Sequence, residues 1–233
     1  MNILIVPECG HNWCNDFKMA EDLISAAADS GATCAKFQLY DTDKIKKPGD
    51  TNYEELKAAE LSRDQIEKLQ IKCDKVGIDL VASAFDIERV GWLEDIGVPF
   101  HKLASRCIYD TGLIKAMEDT GIEILVSTAE LGDNELPEMK NAEFLFCRSR
   151  RQILRDGFDT FPLFSTQFGN CYRGFSDHTV GMERAKEAMD KGAVIIEKHF
   201  TFDKNLPGWD QPGSMTPDEL KDLVKFAEGY NAR

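Results

Sequence analysis

Asp190-Lys191-Gly192-Ala193-Val194-Ile195-Ile196 closes one element and opens another. The glycine stands where a helix C-cap wants a residue free to turn left-handed, and the run after it is apolar at every position. A strand without polar alternation is buried on both faces, as in a parallel sheet covered by helices. The junction recurs at Lys75-Val76-Gly77. Apolar, β-rich runs lie at Ile3 to Pro7, Thr33 to Phe37, Ile78 to Ser83, Pro99 to Ala104, Ile122 to Val126, Ala142 to Cys147, Tyr172 to Phe175 and Ala193 to Ile196. Between them run helical-period segments, at Met19 to Ser30, Arg63 to Val76, Asp86 to Ile96, Thr111 to Thr120, Met182 to Lys191 and Pro217 to Tyr230. Strand and helix alternate, which predicts an α/β fold with parallel strands and crossover helices. Eight strands give the count of a closed (β/α)8 TIM barrel, read as a single domain over residues 1–233. The fifth and sixth helices are assigned to Gly132 to Met139, which contains Pro137, and Arg148 to Gly169, which contains Pro162 and several aromatics. A doubly wound open sheet is the alternative, but no G-x-G-x-x-G follows the first strand and no G-x-x-x-x-G-K-[ST] occurs, so a nucleotide has no signature to bind.

A chain of 233 residues fits one such domain. Its formal net charge of -13, with 30% charged residues, disfavours nucleic acid and anionic membrane as bulk partners, so any anionic ligand must be won locally. The apolar run ending at Pro7 is too short to span a membrane and lacks a basic n-region or cleavage site, which predicts a cytoplasmic protein. The seven cysteines (Cys9, Cys14, Cys34, Cys73, Cys107, Cys147 and Cys171) are odd in number and form no C-x-x-C pair. They read as reduced thiols, most of them in strands.

In a barrel, catalytic side chains come from the C-terminal ends of the strands. Here those ends are polar: Glu8; Lys36 with Gln38; Ser83; Lys102 with Ser105; Ser127 with Thr128; Ser176-Asp177-His178; Glu197-Lys198-His199. Converging on one mouth, they would make one site. A single lysine flanked by apolar residues reads as a structural ion pair, because a lone buried ammonium is costly. Two lysines with serines on intervening strands point instead to a site for phosphate or carboxylate. His178 and His199 end adjacent strands, close enough to share a metal, each beside a carboxylate that is a ligand or an orienter; the alternative is a pair of satisfied core histidines. His11 and His101 receive no role. Trp209-Asp-Gln-Pro-Gly213 has the turn residues of a loop over the mouth, with Asp210 placed to reach a sugar hydroxyl.

Gly174-Phe-Ser-Asp-His-Thr179, followed by Ile196-Glu-Lys-His-Phe-Thr201 and Pro207-Gly-Trp-Asp210, resembles the signature of the sialic acid (N-acetylneuraminate) synthase family. The resemblance extends, in family order, through Pro7-Glu-Cys-Gly10 with Asn12, Gly31 to Gln38, Ser83-Ala-Phe85, Lys102-Leu-Ala-Ser105 and Leu125-Val-Ser-Thr128. It implies a barrel that condenses phosphoenolpyruvate with an N-acylmannosamine-type sugar aldehyde, or its 6-phosphate, to a nine-carbon keto sugar acid and phosphate. Residues matching Lys36, Ser83, Lys102, Ser105, Ser127 and Ser176 would hold phosphoenolpyruvate. Manganese or magnesium would sit on His178 and His199. Glu8, Gln38 and Asp210 would meet the acceptor, with Glu8 moving a proton or orienting water.

Three features depart from that family. Its members usually carry a C-terminal antifreeze-like domain that donates an arginine to the partner's acceptor site, whereas this sequence ends at Arg233. The expectation is a homodimer in which the acceptor is bound differently, a separate antifreeze-like domain protein supplies that part, or activity is low. Cys107 stands where the family has a glutamate, and Cys147-Arg-Ser-Arg-Arg-Gln152 replaces a Cys-x-x-x-Tyr-Pro run. Of Arg148, Arg150, Arg151 and Arg155, one, with Arg150 as candidate, supplies the missing arginine or reads a phosphate on the acceptor; otherwise they form a solvated basic face. The competing readings are a Schiff-base aldolase or lyase on Lys36 or Lys102, and a degenerate barrel that binds a sugar phosphate without catalysis.

Overall fold

The computed structural model describes residues 3–132, 134–158, 160–165 and 171–231. Among these, eight strands pair in chain order: β1 (Leu4–Gly10), β2 (Cys34–Leu39), β3 (Asp79–Ala84), β4 (His101–Leu103), β5 (Ile124–Ser127), β6 (Ala142–Cys147), β7 (Tyr172–Asp177) and β8 (Ile195–His199). All pairings are parallel, and β8 returns to β1 to close the barrel. The helices are α1 (Phe17–Asp29), α2 (Thr42–Ile45), α3 (Tyr53–Ala58), α4 (Arg63–Val76), α5 (Ile87–Ile96), α6 (Thr111–Thr120), α7 (Arg150–Asp156), α8 (Glu183–Asp190) and α9 (Pro217–Asn231). The (β/α)8 TIM barrel expected from the alternation is the observed fold.

Side chains alternate across each strand, so the barrel sorts its residues into two sets. Ile5, Phe37, Ala82, Leu103, Val126, Phe175 and Ile196 face outward and join the helices in the main core. Val6, Cys34, Val81, Phe100, Leu125, Leu145 and Ile195 face inward and fill the barrel as a separate apolar plug. Two residues further along each strand, the inward position lies one layer higher. That step leads from the plug to the polar strand ends: Val6 to Glu8, Cys34 to Lys36, Val81 to Ser83, Phe100 to Lys102, Leu125 to Ser127, Ile195 to Glu197.

The fifth and sixth connections differ from expectation. No described residue of Gly132 to Met139 is helical; Asp133 lies outside the described residues. A short 3-10 turn at Ala129–Leu131 stops at Gly132, and Pro137, lacking an N–H and restricting Leu136 before it, prevents a helix from restarting. Among the described residues of Arg148 to Gly169 only α7 is helical, opened by a capping box between Ser149 and Gln152 and ended at Gly157. Phe158, Phe161 and Phe164 then continue as an aromatic cluster against Phe146 and Phe175. Thr166 to Gly169 and Asp159 lie outside the described residues. No disulfide joins the cysteines, but only Cys9, Cys34 and Cys147 lie in strands. The expectation that most do is corrected: Cys73 packs from α4, and Cys14, Cys107 and Cys171 sit in connections, a small thiol serving wherever a gap needs filling.

Candidate active site

A cavity of about 730 Å³ opens at the C-terminal ends of the strands. Its floor is the polar layer above the apolar plug. Glu8 pairs with Lys36, whose ammonium is also 3.7 Å from Glu197 Oε2. Lys102 Nζ lies 3.9 Å from Glu197 Oε1 and donates to Ser127 Oγ at 2.8 Å and to the Leu103 carbonyl at 3.0 Å. Ser176 Oγ donates to Glu197 Oε1 at 2.8 Å. Two buried ammonium groups and two buried carboxylates thus interlock, which offsets the desolvation that each would suffer alone. Burial pushes Lys36 down to about 8, opposed by Glu197 and reinforced by Lys102. Burial would raise Glu197, but Lys102 and Lys36 outweigh it and hold that carboxyl below its ordinary range.

Two glycines make this packing possible. Gly10 has φ +48°, at a register shift between β1 and β2, and a Cβ there would stand 3.2 Å from both Gln38 Nε2 and Glu8 Oε1. Gly174 lets β7 press against β8; a Cβ would overlap the Ile195 carbonyl and come within 2.7 Å of the Ile195 Cβ.

Gln38, Ser83 and Ser105 also line the cavity, Ser105 accepting a hydrogen bond from Glu130 N at 2.7 Å. His178 and His199 stand at the mouth with ring centroids 5.3 Å apart, inclined at 70°. His199 Nδ1 is buried without a hydrogen-bond partner. Burial, with the nearby charge of His178 and against Asp210, lowers His199 to about 4 and keeps it neutral, the state in which imidazole binds metal. Burial also acts to lower His178, but Cys147, whose Sγ lies 3.8 Å from its Nδ1, together with Asp210 and Glu197 raises it to about 9. The two rings are placed to hold a divalent ion as a pair of ligands, His199 as it stands and His178 on release of its proton. Among the described residues no third His, Cys, Asp or Glu completes a cluster, so the other coordination positions would fall to water and substrate oxygen.

Asp210 reaches the mouth from the loop after β8, its Oδ1 3.7 Å from His199 Nε2. Arg150 donates to the Trp209 carbonyl and lays its guanidinium 5.0 Å from the centre of the Trp209 ring, which ties α7 to that loop. Asn12 Nδ2 donates to the Phe200 carbonyl at 3.0 Å and to Ser214 Oγ at 2.9 Å, tying the β1 loop to it as well. Of the other arginines, Arg151 lines the cavity, whereas Arg148 and Arg155 turn to Asp156.

Of the residues named from the sequence, Glu8, Lys36, Gln38, Ser83, Lys102, Ser105, Ser127, Arg150, Ser176, His178, His199 and Asp210 line this one cavity. Three strand-end residues do not, because alternation turns them outward. Asp177 and Lys198 form an ion pair of 2.9 Å behind the barrel, both side chains fully buried, and Thr128 Oγ1 donates to the Leu145 carbonyl. Asp177 is therefore no metal ligand, and Glu197 braces the lysines. His101 also faces outward, 3.0 Å from Glu94. His11, Cys147 and Arg106, which were given no role from the sequence, also line the cavity. Cys147 was reachable by counting two residues on from the inward Leu145, but His11 and Arg106 sit in short connections without a strand period.

The profile of the NeuB family matches residues 23–154 and 158–232. An N,N'-diacetyllegionaminic acid synthase of Legionella pneumophila is 30% identical, the match covering 97% of this chain and 71% of that protein. The human N-acetylneuraminate-9-phosphate synthase is 29% identical, over 95% of this chain and 68% of that one. Among solved structures, the N-acetylneuraminic acid synthetase of Leptospira borgpetersenii, in complex with citrate, superposes with a TM-score of 0.82 at 26% identity, covering 100% of this chain and 85% of that chain.

Proposed function

The chain belongs to the NeuB family, and from that premise we propose that it condenses phosphoenolpyruvate with an N-acylmannosamine-type sugar aldehyde, giving a nine-carbon 2-keto-3-deoxy sugar acid and phosphate. The observation that carries this reading is the floor of the cavity, where two buried lysines face open space among four serines on different strands and turns.

Lys36 and Lys102, with Ser83, Ser105, Ser127 and Ser176, hold the phosphate and carboxylate of phosphoenolpyruvate, the ammonium groups turning from Glu8 and Glu197 toward the substrate's anions. His178 and His199 would hold a divalent ion, manganese or magnesium, which would supply Lewis-acid polarisation of the aldehyde oxygen. Gln38 and Asp210 orient the sugar so that its aldehyde carbon meets C3 of the enol. The new C–C bond leaves positive character on C2. Glu8, with an oxygen lacking any hydrogen-bond partner, takes a proton from the water that adds there, and phosphate departs by C–O cleavage. No helix among the described residues is long and apolar enough to cross a membrane, and we read the enzyme as cytoplasmic.

The test is phosphate release from phosphoenolpyruvate with manganese, across N-acyl hexosamines and their 6-phosphates, with His178→Ala and His199→Ala as controls. Release that requires acceptor and metal and disappears in the controls is expected; silence across the panel from folded protein refutes the reading. The lowered Lys36 favours one competitor, a Schiff-base lyase. Borohydride trapping of a keto acid on Lys36 would decide for it.

A further inference from the structure

His11 lies in the turn after β1, its side chain 11% exposed, and faces the cavity. Its Nε2 is 3.4 Å from Glu55 Oε1, on α3, and 3.6 Å from Asp210 Oδ2. The other oxygen of Asp210 is the one 3.7 Å from His199. Asp210 is thus bracketed by two imidazoles, one from the first loop of the barrel and one from its last strand. Burial acts to lower His11, but Glu55 and Asp210 raise it above its ordinary value. These two carboxylates and His199 are the titratable groups set against His11 from α3, the β8 loop and β8. Burial would likewise raise Asp210, but the histidines and Arg150 hold it ionised. At these separations the contacts of Asp210 with the two imidazoles are longer than a hydrogen bond, so the carboxylate keeps lone pairs for a ligand donor.

We propose that His11 is the positioning residue of the acceptor subsite: clamped by Glu55, it fixes the Asp210 carboxylate in the orientation that receives a hydroxyl of the acceptor sugar. The proposal rests on the reading of Asp210 as an acceptor-binding residue. The clamp joins three connections, after β1, β2 and β8, so acceptor binding and the seating of α3 over the mouth are coupled. Phosphoenolpyruvate, held on the lysine and serine floor, is outside its reach.

The experiment is a double-mutant cycle on His11→Leu and Asp210→Asn, with His11→Gln as the conservative variant. It is read as KM for the acceptor and for phosphoenolpyruvate, and as the Kd of N-acetylmannosamine by calorimetry. His11→Leu is expected to raise acceptor KM and Kd about tenfold and leave phosphoenolpyruvate within about twofold; His11→Gln regains part of the loss; and in the Asp210→Asn background His11→Leu adds less than about twofold. Equal losses for both substrates, full multiplication of the two effects, or no change in His11→Leu would each overturn the proposal. If wild type binds the sugar but releases no phosphate, the condensation reading fails while the Kd cycle still decides the clamp. If it binds neither this sugar nor any other of the acceptor panel, the subsite and the clamp fall together.

Discussion

Replacing Glu197 by glutamine removes the carboxylate that lies against both buried ammonium groups, at 3.7 Å from Lys36 and 3.9 Å from Lys102. At an effective dielectric of about 20, each attraction is worth about 4 kcal/mol before desolvation is set against it. Removing one member of a buried charged set costs about 3–5 kcal/mol net, because the remaining charge is stranded. Lys36 keeps Glu8, and the glutamine oxygen can still accept from Ser176, so the expected loss is at the lower end, about 3 kcal/mol at pH 7. Urea denaturation followed by the fluorescence of Trp13, Trp92 and Trp209 measures it. The pH dependence has a definite sign. Glu197 is among the groups that raise Lys36, so without it the folded-state value falls further below about 8, whereas the unfolded lysine titrates near its ordinary value of about 10.4. Between those values the unfolded chain holds the proton that the folded one has released, and stability rises with pH. The deficit of Glu197→Gln should therefore narrow as pH rises from 7 through about 8, where wild-type Lys36 also releases its proton, and stay constant above that, and a second change, Lys102→Met, should restore most of it by removing the stranded charge. A deficit under about 1 kcal/mol that does not vary with pH would refute the interlocked-charge account.

Gly174→Ala drives a methyl group into the Ile195 carbonyl; it should cost more than the about 1–3 kcal/mol of ordinary overpacking and abolish phosphate release, read by thermal denaturation and by the phosphate assay. Asp177→Ala strands the fully buried Lys198 and should lose about 3–5 kcal/mol in urea while leaving phosphoenolpyruvate KM unchanged, since the pair lies behind the barrel wall. Chelator dialysis should remove phosphate release and manganese restore it, in wild type but not in His199→Ala; restoration in that variant would take His199 out of the metal site. If Arg151, at the cavity rim, reads a phosphate on the acceptor, Arg151→Gln should raise KM for an acceptor 6-phosphate about tenfold and leave that of the neutral sugar unchanged.

The strand order and the site were legible because both follow from a period of two. Val81 and Ser83, or Leu125 and Ser127, lie on one face two residues apart, so the inward set could be counted upward from an apolar run to a polar end. Listing strand ends without that count drew Asp177, Lys198 and Thr128 into the mouth. The connections were less legible. Neither Pro137 nor the phenylalanines at 158, 161 and 164 announced what replaces a helix there, because an aromatic packs against Phe146 or Phe175 as well from irregular chain as from a turn of helix. His11 was invisible for a related reason: its partners, Glu55 and Asp210, both lie far further along the chain, and only the closed ring brings them together.

The ring closes between its first and last strands, where Glu8 sits in register with His199 and the Phe200 amide donates to the Glu8 carbonyl at 2.8 Å. The Asn12 side chain bonds across the same seam to a carbonyl 188 residues away. On a ribosome the first strand can pair with β2 early but must wait for Ile195–His199 to emerge before its other neighbour exists, with that edge unpaired meanwhile. The charged floor, whose Glu197 arrives with that last strand, comes into being only at the closing step. Catalytic competence then serves as a timer for the completion of folding, and a chain synthesised short of β8 carries both lysines and Glu8 without Glu197.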